Sequence, residues 1–285
     1  MSAPRVVDAH VHFWDPGVLP YPWLGEIASL RRAFLPPQHA AATVGAPVER
    51  LVVVEGNCQP ARAREEVRWV EALERREPRI AALVAYVDLT SDGAAGEIEH
   101  LAAHPLVRGV RHNIQGNPSG VCLRSDFVAG VREAGRRGLT FDLCATHDQL
   151  ADVVALARLC PDTPLVLDHC GKPPIGDAAA FAPWAERVRE LAALPHVRCK
   201  LSGLLTEAAP AYRDDEHLLP YAERVLECFG SDRLLFGGDW PVVTLAGTWA
   251  DWYDFTRRFA AAWSDAERAD FYAGNAERLY GLDEP

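Results

Sequence analysis

The chain has 285 residues, 49% of them hydrophobic, enough to bury a large core as a single domain of α/β-barrel size spanning 1–285. A net charge of -11 at pH 7 argues against nucleic acid or an anionic membrane surface as partner, and an anionic substrate would need a locally basic pocket. No run of about 18 apolar residues occurs, and the N-terminus lacks a basic segment followed by an apolar one, so the expectation is a cytoplasmic protein.

The seven cysteines (Cys58, Cys122, Cys144, Cys160, Cys170, Cys199 and Cys228) show no CxxC spacing and read as reduced thiols. Cys144, Cys170 and Cys199 lie in or beside apolar runs and read as small core residues. Cys170 follows His169, but no dedicated base for a thiol nucleophile is evident.

In chain order, Val6–His10 is a β-branched apolar run that leads into His10-Val11-His12. Alternate residues of a strand share a face, so His10 and His12 are expected to project together near its end. A Pro- and aromatic-rich stretch, Asp15-Pro16 through Tyr21-Pro22-Trp23-Leu24, is long for a connection and suits a lid or binding loop. Further strand-like runs start near Leu51, Ile80, Val107, Leu139, Leu165, Val197 and Leu234, which makes eight with the first. Helical patterns lie between them at Pro60–Glu77, Ser125–Gly138, His147–Leu159, Phe181–Leu194, Pro220–Phe229 and Thr248–Ala262. Ser264-Asp265-Ala266-Glu267 is a capping box, and Ser125 is a candidate N-cap. Alternation of this kind, about thirty residues per unit, points to a closed (β/α)8 TIM-type barrel, with a doubly wound open sheet as the alternative.

Chemistry in such barrels sits at the C-terminal ends of the strands. Those positions hold His10 and His12; Glu55, Asn57 and Gln59; Arg111, His112, Asn113 and Gln115; Asp168, His169 and Lys172; Lys200 and Ser202; and Asp239-Trp240-Pro241. Gly237-Gly238 allows close backbone approach just before Asp239. His39, His100, His104, His147, His196 and His217 fall in helices or loops and read as surface residues.

The segments DAHVHFWDP, GVRHNIQ, LVLDHCGKP, LLFGGDWP and GNAERLYGL, in this order from Val6 to Leu282, resemble the amidohydrolase superfamily. They are most similar to its branch of sugar-acid lactonases, with L-fuconolactone and L-rhamnonolactone hydrolases nearest in pattern and pyrone-dicarboxylate lactonase related. The resemblance implies a distorted (β/α)8 barrel, roles for His10, His12 and His169 around the reacting carbonyl, and Asp239 as the group that activates water. It departs from the binuclear members. Strand four ends in Arg111-His112 where they carry a bridging Lys or Glu, and strand five ends Asp142-Leu143-Cys144-Ala145-Thr146 where they carry His. A two-metal site is not expected. His10, His12, His169 and Asp239 are an optional ligand set for one Zn²⁺ that is not expected to be essential.

The expected reaction is hydrolysis of a sugar-acid lactone. Asp239 acts as base, and protonated imidazoles with Arg111 stabilise the oxyanion. Arg111, His112, Glu55, Asn57 and Gln59 bind hydroxyl groups, with Asn113 and Gln115 beside them. Trp14, Trp23 and Trp240 stack on the sugar. The rival is a metal-dependent decarboxylase. The expected partner is a small-molecule lactone, and the expected assembly a monomer or small homo-oligomer.

Overall fold

Eight apolar runs become parallel strands: β1 (Val6–Val11), β2 (Val48–Val54), β3 (Ile80–Tyr86), β4 (Val107–Arg111), β5 (Thr140–Leu143), β6 (Leu165–Leu167), β7 (Val197–Leu201) and β8 (Leu234–Phe236). Each pairs in parallel with the next, in sheet order β1 through β8. The structure is a computed structural model and describes residues 4–282; the two ends of the expected 1–285 domain lie outside the described residues. The helices are α1 (Pro36–Ala42), α2 (Ala63–Glu74), α3 (Ala94–Ala102), α4 (Ser125–Arg136), α5 (Leu150–Leu159), α6 (Ala178–Ala192), α7 (Leu204–Glu207), α8 (Asp215–Phe229), α9 (Trp249–Phe259), α10 (Asp265–Ala269) and α11 (Asn275–Tyr280). Strands alternating with helices around a nearly closed sheet make the fold a (β/α)8 barrel.

β1 and β8 share no regular ladder. Their seam is closed by a single parallel bridge between Val11 and Trp240 and by two backbone bonds, Asp239 N–H to His10 O (2.8 Å) and His12 N–H to Trp240 O (2.7 Å).

Two apolar clusters hold the barrel. The larger lies between the strands and the helices and includes Val6, Val11, Leu51, Val53, Leu83 and Val110. The smaller takes alternate strand residues, Val7 and Ala9, Val52 and Val54, Ala82 and Val84, with Val166 and Leu235, and is the inward face. These residues are mostly small because the interior is also filled from the C-terminal segment by Ala273, Ala276, Tyr280 and Leu282. No helix among the described residues is long and apolar enough to cross a membrane.

Several helix boundaries differ from the sequence expectation. α8 begins at Asp215, five residues before Pro220, because Asp214 caps it by accepting the His217 N–H. Ser125 is the first residue of α4, with Arg124 in the cap position. α1 and α3 are short and lack an N-cap residue with a polar side chain; α1 is marked at its start by Pro36 and Pro37 alone, and α3 follows Gly93. The Ser264 capping box forms as expected, with Glu267 N–H bonded to Ser264 Oγ and Ser264 N–H to Glu267 Oε2.

Candidate active site

The C-terminal ends of the strands open into a cleft. Among its lining residues are His12, Asn57, Arg111, His112, Asn113, Gln115, His169, Lys172 and Asp239. Pro22, Trp23, Glu26 and Ile27 form part of its wall, which places the Pro- and aromatic-rich stretch over the cleft. Trp23 anchors that stretch by donating its Nε1–H to Gly56 O at 2.8 Å.

His10 and His12 do project together: their Nε2 atoms are 3.1 Å apart, with His10 fully buried and His12 at the cleft surface. Asp239 Oδ1 lies 3.8 Å from His10 Nε2 and 3.6 Å from His12 Nε2, and its Oδ2 is 4.0 Å from His169 Nδ1. One carboxylate therefore faces three imidazoles. Burial alone would raise the Asp239 pKa, but His169 and His12 hold it below the usual carboxylate range. Asp239 is ionised at neutral pH and acceptor-only. Burial drives His10 and His169 well below the ordinary histidine value, so both are neutral. This replaces the expectation of protonated imidazoles at these two positions.

The tautomers follow from the second ring nitrogens. His12 Nδ1–H donates to Val54 O at 2.9 Å, so Nε2 is the nitrogen facing His10 and Asp239, and it carries the lone pair when the ring is neutral. His10 Nδ1 has both a donor, Lys200 Nζ at 3.2 Å, and an acceptor, Asp168 Oδ1 at 3.3 Å. Either tautomer of His10 is therefore satisfied. With Lys200 donating, His10 Nε2–H can donate to His12. With Asp168 accepting, both Nε2 lone pairs converge.

That convergence bears on a metal. Ligands of one tetrahedral zinc at 2.0–2.2 Å sit about 3.3–3.6 Å apart, close to the separations among His10, His12 and Asp239. Neutral imidazoles plus a carboxylate are the donor types zinc takes, so these three residues fit one ion. A second grouping, His10, Asp168 and His169, fits poorly. Asp168 already faces Lys200 Nζ at 3.1 Å and Arg111 Nη1 at 3.3 Å, two fixed cations that would repel a third.

Backbone strain aims several of these groups. His169, Cys170, Gly171 and Lys172 all have positive φ (52°, 56°, 70° and 46°), a left-handed turn directly after β6. Each non-glycine residue there costs about 1–2 kcal/mol. The turn is pinned from behind by the Trp184 Nε1–H bond to Cys170 O at 2.9 Å. Gly203 leaves room for His169, since a Cβ there would come within 2.8 Å of the His169 Cβ. Asp239 (φ 51°) and Asn57 (φ 54°) are left-handed as well.

Several expected ligand-binding side chains are committed elsewhere. Glu55 accepts from Arg111 Nε at 2.7 Å and from the Asn57 N–H at 2.6 Å, so it holds the cleft floor and does not line it. Gln59 is exposed outside the cleft lining; its N–H bonds Pro20 O. Trp240 is buried among Phe13, Phe34 and His39, because the turn that brings Asp239 inward turns the next side chain outward. Trp14 borders the cleft but is fully buried, packed by Trp23, Tyr21 and Phe34, with no face left for a sugar. His39 is fully buried, not on the surface. Cys170 is fully buried and outside the cleft lining, which leaves a thiol nucleophile no access to substrate. Tyr86, Asp88 and Asn117 join the lining and were not singled out from sequence. Tyr86 ends β3 and Asp88 lies two residues beyond it.

Beneath the site, Lys200 is wholly buried and bonds Asp142, Asp168 and His10. Burial would lower its pKa, but Asp142 and Asp168 raise it above the usual lysine value, so it is an ammonium. Asp142 is pushed up to about 6, burial outweighing Lys200.

Comparison with known proteins agrees with this geometry. The amidohydrolase family model matches residues 7–282. The chain belongs to the amidohydrolase family. It is 36% identical to an L-fucono-1,5-lactonase of Burkholderia multivorans, across 100% of this chain and 98% of that protein. An L-fucono-1,5-lactonase of Burkholderia ambifaria is 34% identical, across 98% and 96%. The crystal structure of a Burkholderia multivorans amidohydrolase with bound zinc superposes with a TM-score of 0.88 at 34% identity, across 98% of this amidohydrolase and 99% of that chain.

Lys200→Met should destabilise the fold by about 3–5 kcal/mol, the cost of removing one partner from a buried ion cluster. Urea unfolding measures it; a loss under about 1 kcal/mol would mean that Asp142 and Asp168 do not depend on this cation.

Proposed function

We propose that this amidohydrolase hydrolyses a neutral sugar-acid lactone, a five- or six-carbon aldonolactone such as L-fuconolactone, to the free acid. The observation that carries this reading is one ionised carboxylate, Asp239, at the cleft floor against His10, His12 and His169, in a chain similar over its full length to L-fucono-1,5-lactonases.

A lactone carbonyl is an activated ester, so three tasks suffice. Asp239 takes a proton from water as the oxygen attacks the carbonyl carbon. The negative charge then grows on the carbonyl oxygen, where imidazole N–H groups and the cations at the rim stabilise it. Arg111 and Lys172 both border the cleft, and Lys172 Nζ is steadied by Glu207 Oε1 at 2.9 Å. Collapse breaks the bond between the acyl carbon and the ring oxygen. The proton held on Asp239 passes to that oxygen, which leaves as a hydroxyl, and the carboxylate is restored.

His112 donates from Nε2, since its Nδ1 accepts the Leu89 N–H at 3.0 Å. With Asn57, Asn113, Gln115 and Asn117 it forms a set of neutral donors and acceptors suited to sugar hydroxyls. Asn113 Oδ1 is buried without a partner in the protein and is free to accept one. A Zn²⁺ held by His10, His12 and Asp239 would supply Lewis-acid polarisation of the carbonyl. A decarboxylase is the less supported reading, because the relatives matched over nearly their full length at 34–36% identity are named lactonases.

Three outcomes follow. Asp239→Asn keeps the shape and removes the proton acceptor, so kcat should fall by about 10²-fold or more; near-normal turnover of a folded variant would remove Asp239 from the role of base. In a pH-indicator screen, neutral aldonolactones should be hydrolysed faster than a pyrone dicarboxylate, because each carboxylate calls for a bidentate arginine and, among the described residues, Arg111 and Lys172 are the Arg and Lys side chains that line the cleft. The reverse order, measured side by side, would overturn the substrate assignment. Prolonged chelation should leave most activity intact, with kcat/KM and zinc content measured on the same sample. Activity that disappears with the metal and returns in proportion to added zinc would contradict this.

A further inference from the structure

Several buried carboxylates take no part in the proposed chemistry, and one of them, Asp8, borders the catalytic groups. Asp8 is fully buried in β1, two residues before His10, and faces away from the cleft toward the seam with β8. Its Oδ1 accepts two backbone N–H groups, Gly238 at 2.7 Å and His10 at 3.2 Å. Its Oδ2 accepts the indole Nε1–H of Trp249 at 2.8 Å, and His39 Nε2 lies 3.7 Å away. Gly238 directly precedes Asp239. The same oxygen therefore touches the backbone of both halves of the site, the His10-Val11-His12 strand and the Asp239 turn.

We propose that Asp8 is a positioning residue that sets the distance between Asp239 and the His10–His12 pair. The need for such a part is visible in the topology. β1 and β8 are the one neighbouring pair of strands without a regular ladder, and one isolated bridge marks their contact. The catalytic carboxylate and its imidazoles stand on opposite sides of that gap. A side-chain carboxylate replaces the missing ladder where register matters most.

Chemistry explains why the residue is Asp. The three groups bonded to it are donors, so a group with acceptors only is required. Asn, of the same shape, would turn an NH2 toward one of these donors and break at least one bond. Gly238 completes the fit: a Cβ there would lie 2.4 Å from Asp8 Oδ2 and 2.1 Å from Trp249 Nε1. Only a residue without a side chain lets the backbone reach the carboxylate.

The kinetic half of the test rests on the lactonase reading, so a second readout stands apart from it. Asp8→Asn, checked for folding by circular dichroism, should lower kcat about tenfold or more with KM nearly unchanged, since a small misplacement of reacting groups is costly while the cleft walls are untouched. By equilibrium dialysis its zinc dissociation constant should rise about tenfold or more, because outer partners that orient ligands matter at that scale. A purely structural role would lower the melting temperature and leave both quantities unchanged in the folded fraction. If Asp8→Asn does not fold, Trp249→Phe removes one donor, keeps most of the ring, and should shift the same two quantities by about threefold or more. If the wild type hydrolyses no lactone, the function falls and the zinc comparison still decides the role of Asp8. Zinc affinity at the wild-type level in the folded variant overturns the proposal, as does an unchanged kcat.

Discussion

Everything at this site depends on how the barrel closes. Seven of the eight strand junctions are parallel ladders, three of them with a local register shift, between strands that are apolar along most of their length. The eighth joins β8 back to β1 through backbone bonds from Asp239 and His12, through the Val11–Trp240 bridge, and through the carboxylate of Asp8. The bonds that shut the barrel are thus the bonds that bring Asp239 against His10 and His12. A loosened seam would therefore move Asp239 away from His10 and His12.

The second constraint is charge. Asp142, Asp168 and Glu55 are buried under the cleft, and buried carboxylates are tolerated only when paired. Lys200 and Arg111 pair them, which leaves Asp239 as the carboxylate facing the imidazoles at the cleft floor. Lys200 and Asp168 also meet at His10 Nδ1, so His10 can hold its proton on either nitrogen. Lone pairs on His10 and His12 are then available to a cation when one is present, and a hydrogen bond joins the rings when none is.

Much of this could be read in the sequence. The eight runs and their spacing carry the barrel, because a strand buried on both faces must be apolar along its length. The ends of those runs carry the polar groups, and the structure sets His10 against His12 at 3.1 Å and Asp239 within 3.6–4.0 Å of the three imidazoles. Side-chain direction was not legible. Trp240 follows Asp239 and looked equally available, yet the left-handed turn at Asp239 sends it into an aromatic cluster. Glu55 looked like a ligand-binding group because nothing in its neighbourhood reveals Arg111, fifty-six residues away. Nothing in the sequence marked Asp8, and His39 looked like a surface residue, because Trp240 and Trp249 around them come from the far end of the chain.

The central claim is that water, activated at Asp239, attacks the carbonyl of a lactone. Enzymatic turnover of an aldonolactone in 18O-labelled water, with the acid analysed by mass spectrometry, tests it most directly. The account predicts one labelled oxygen in the carboxyl group of the product and an unlabelled hydroxyl at the former ring oxygen. Label in that hydroxyl, or loss of CO2 from the substrate, would contradict it.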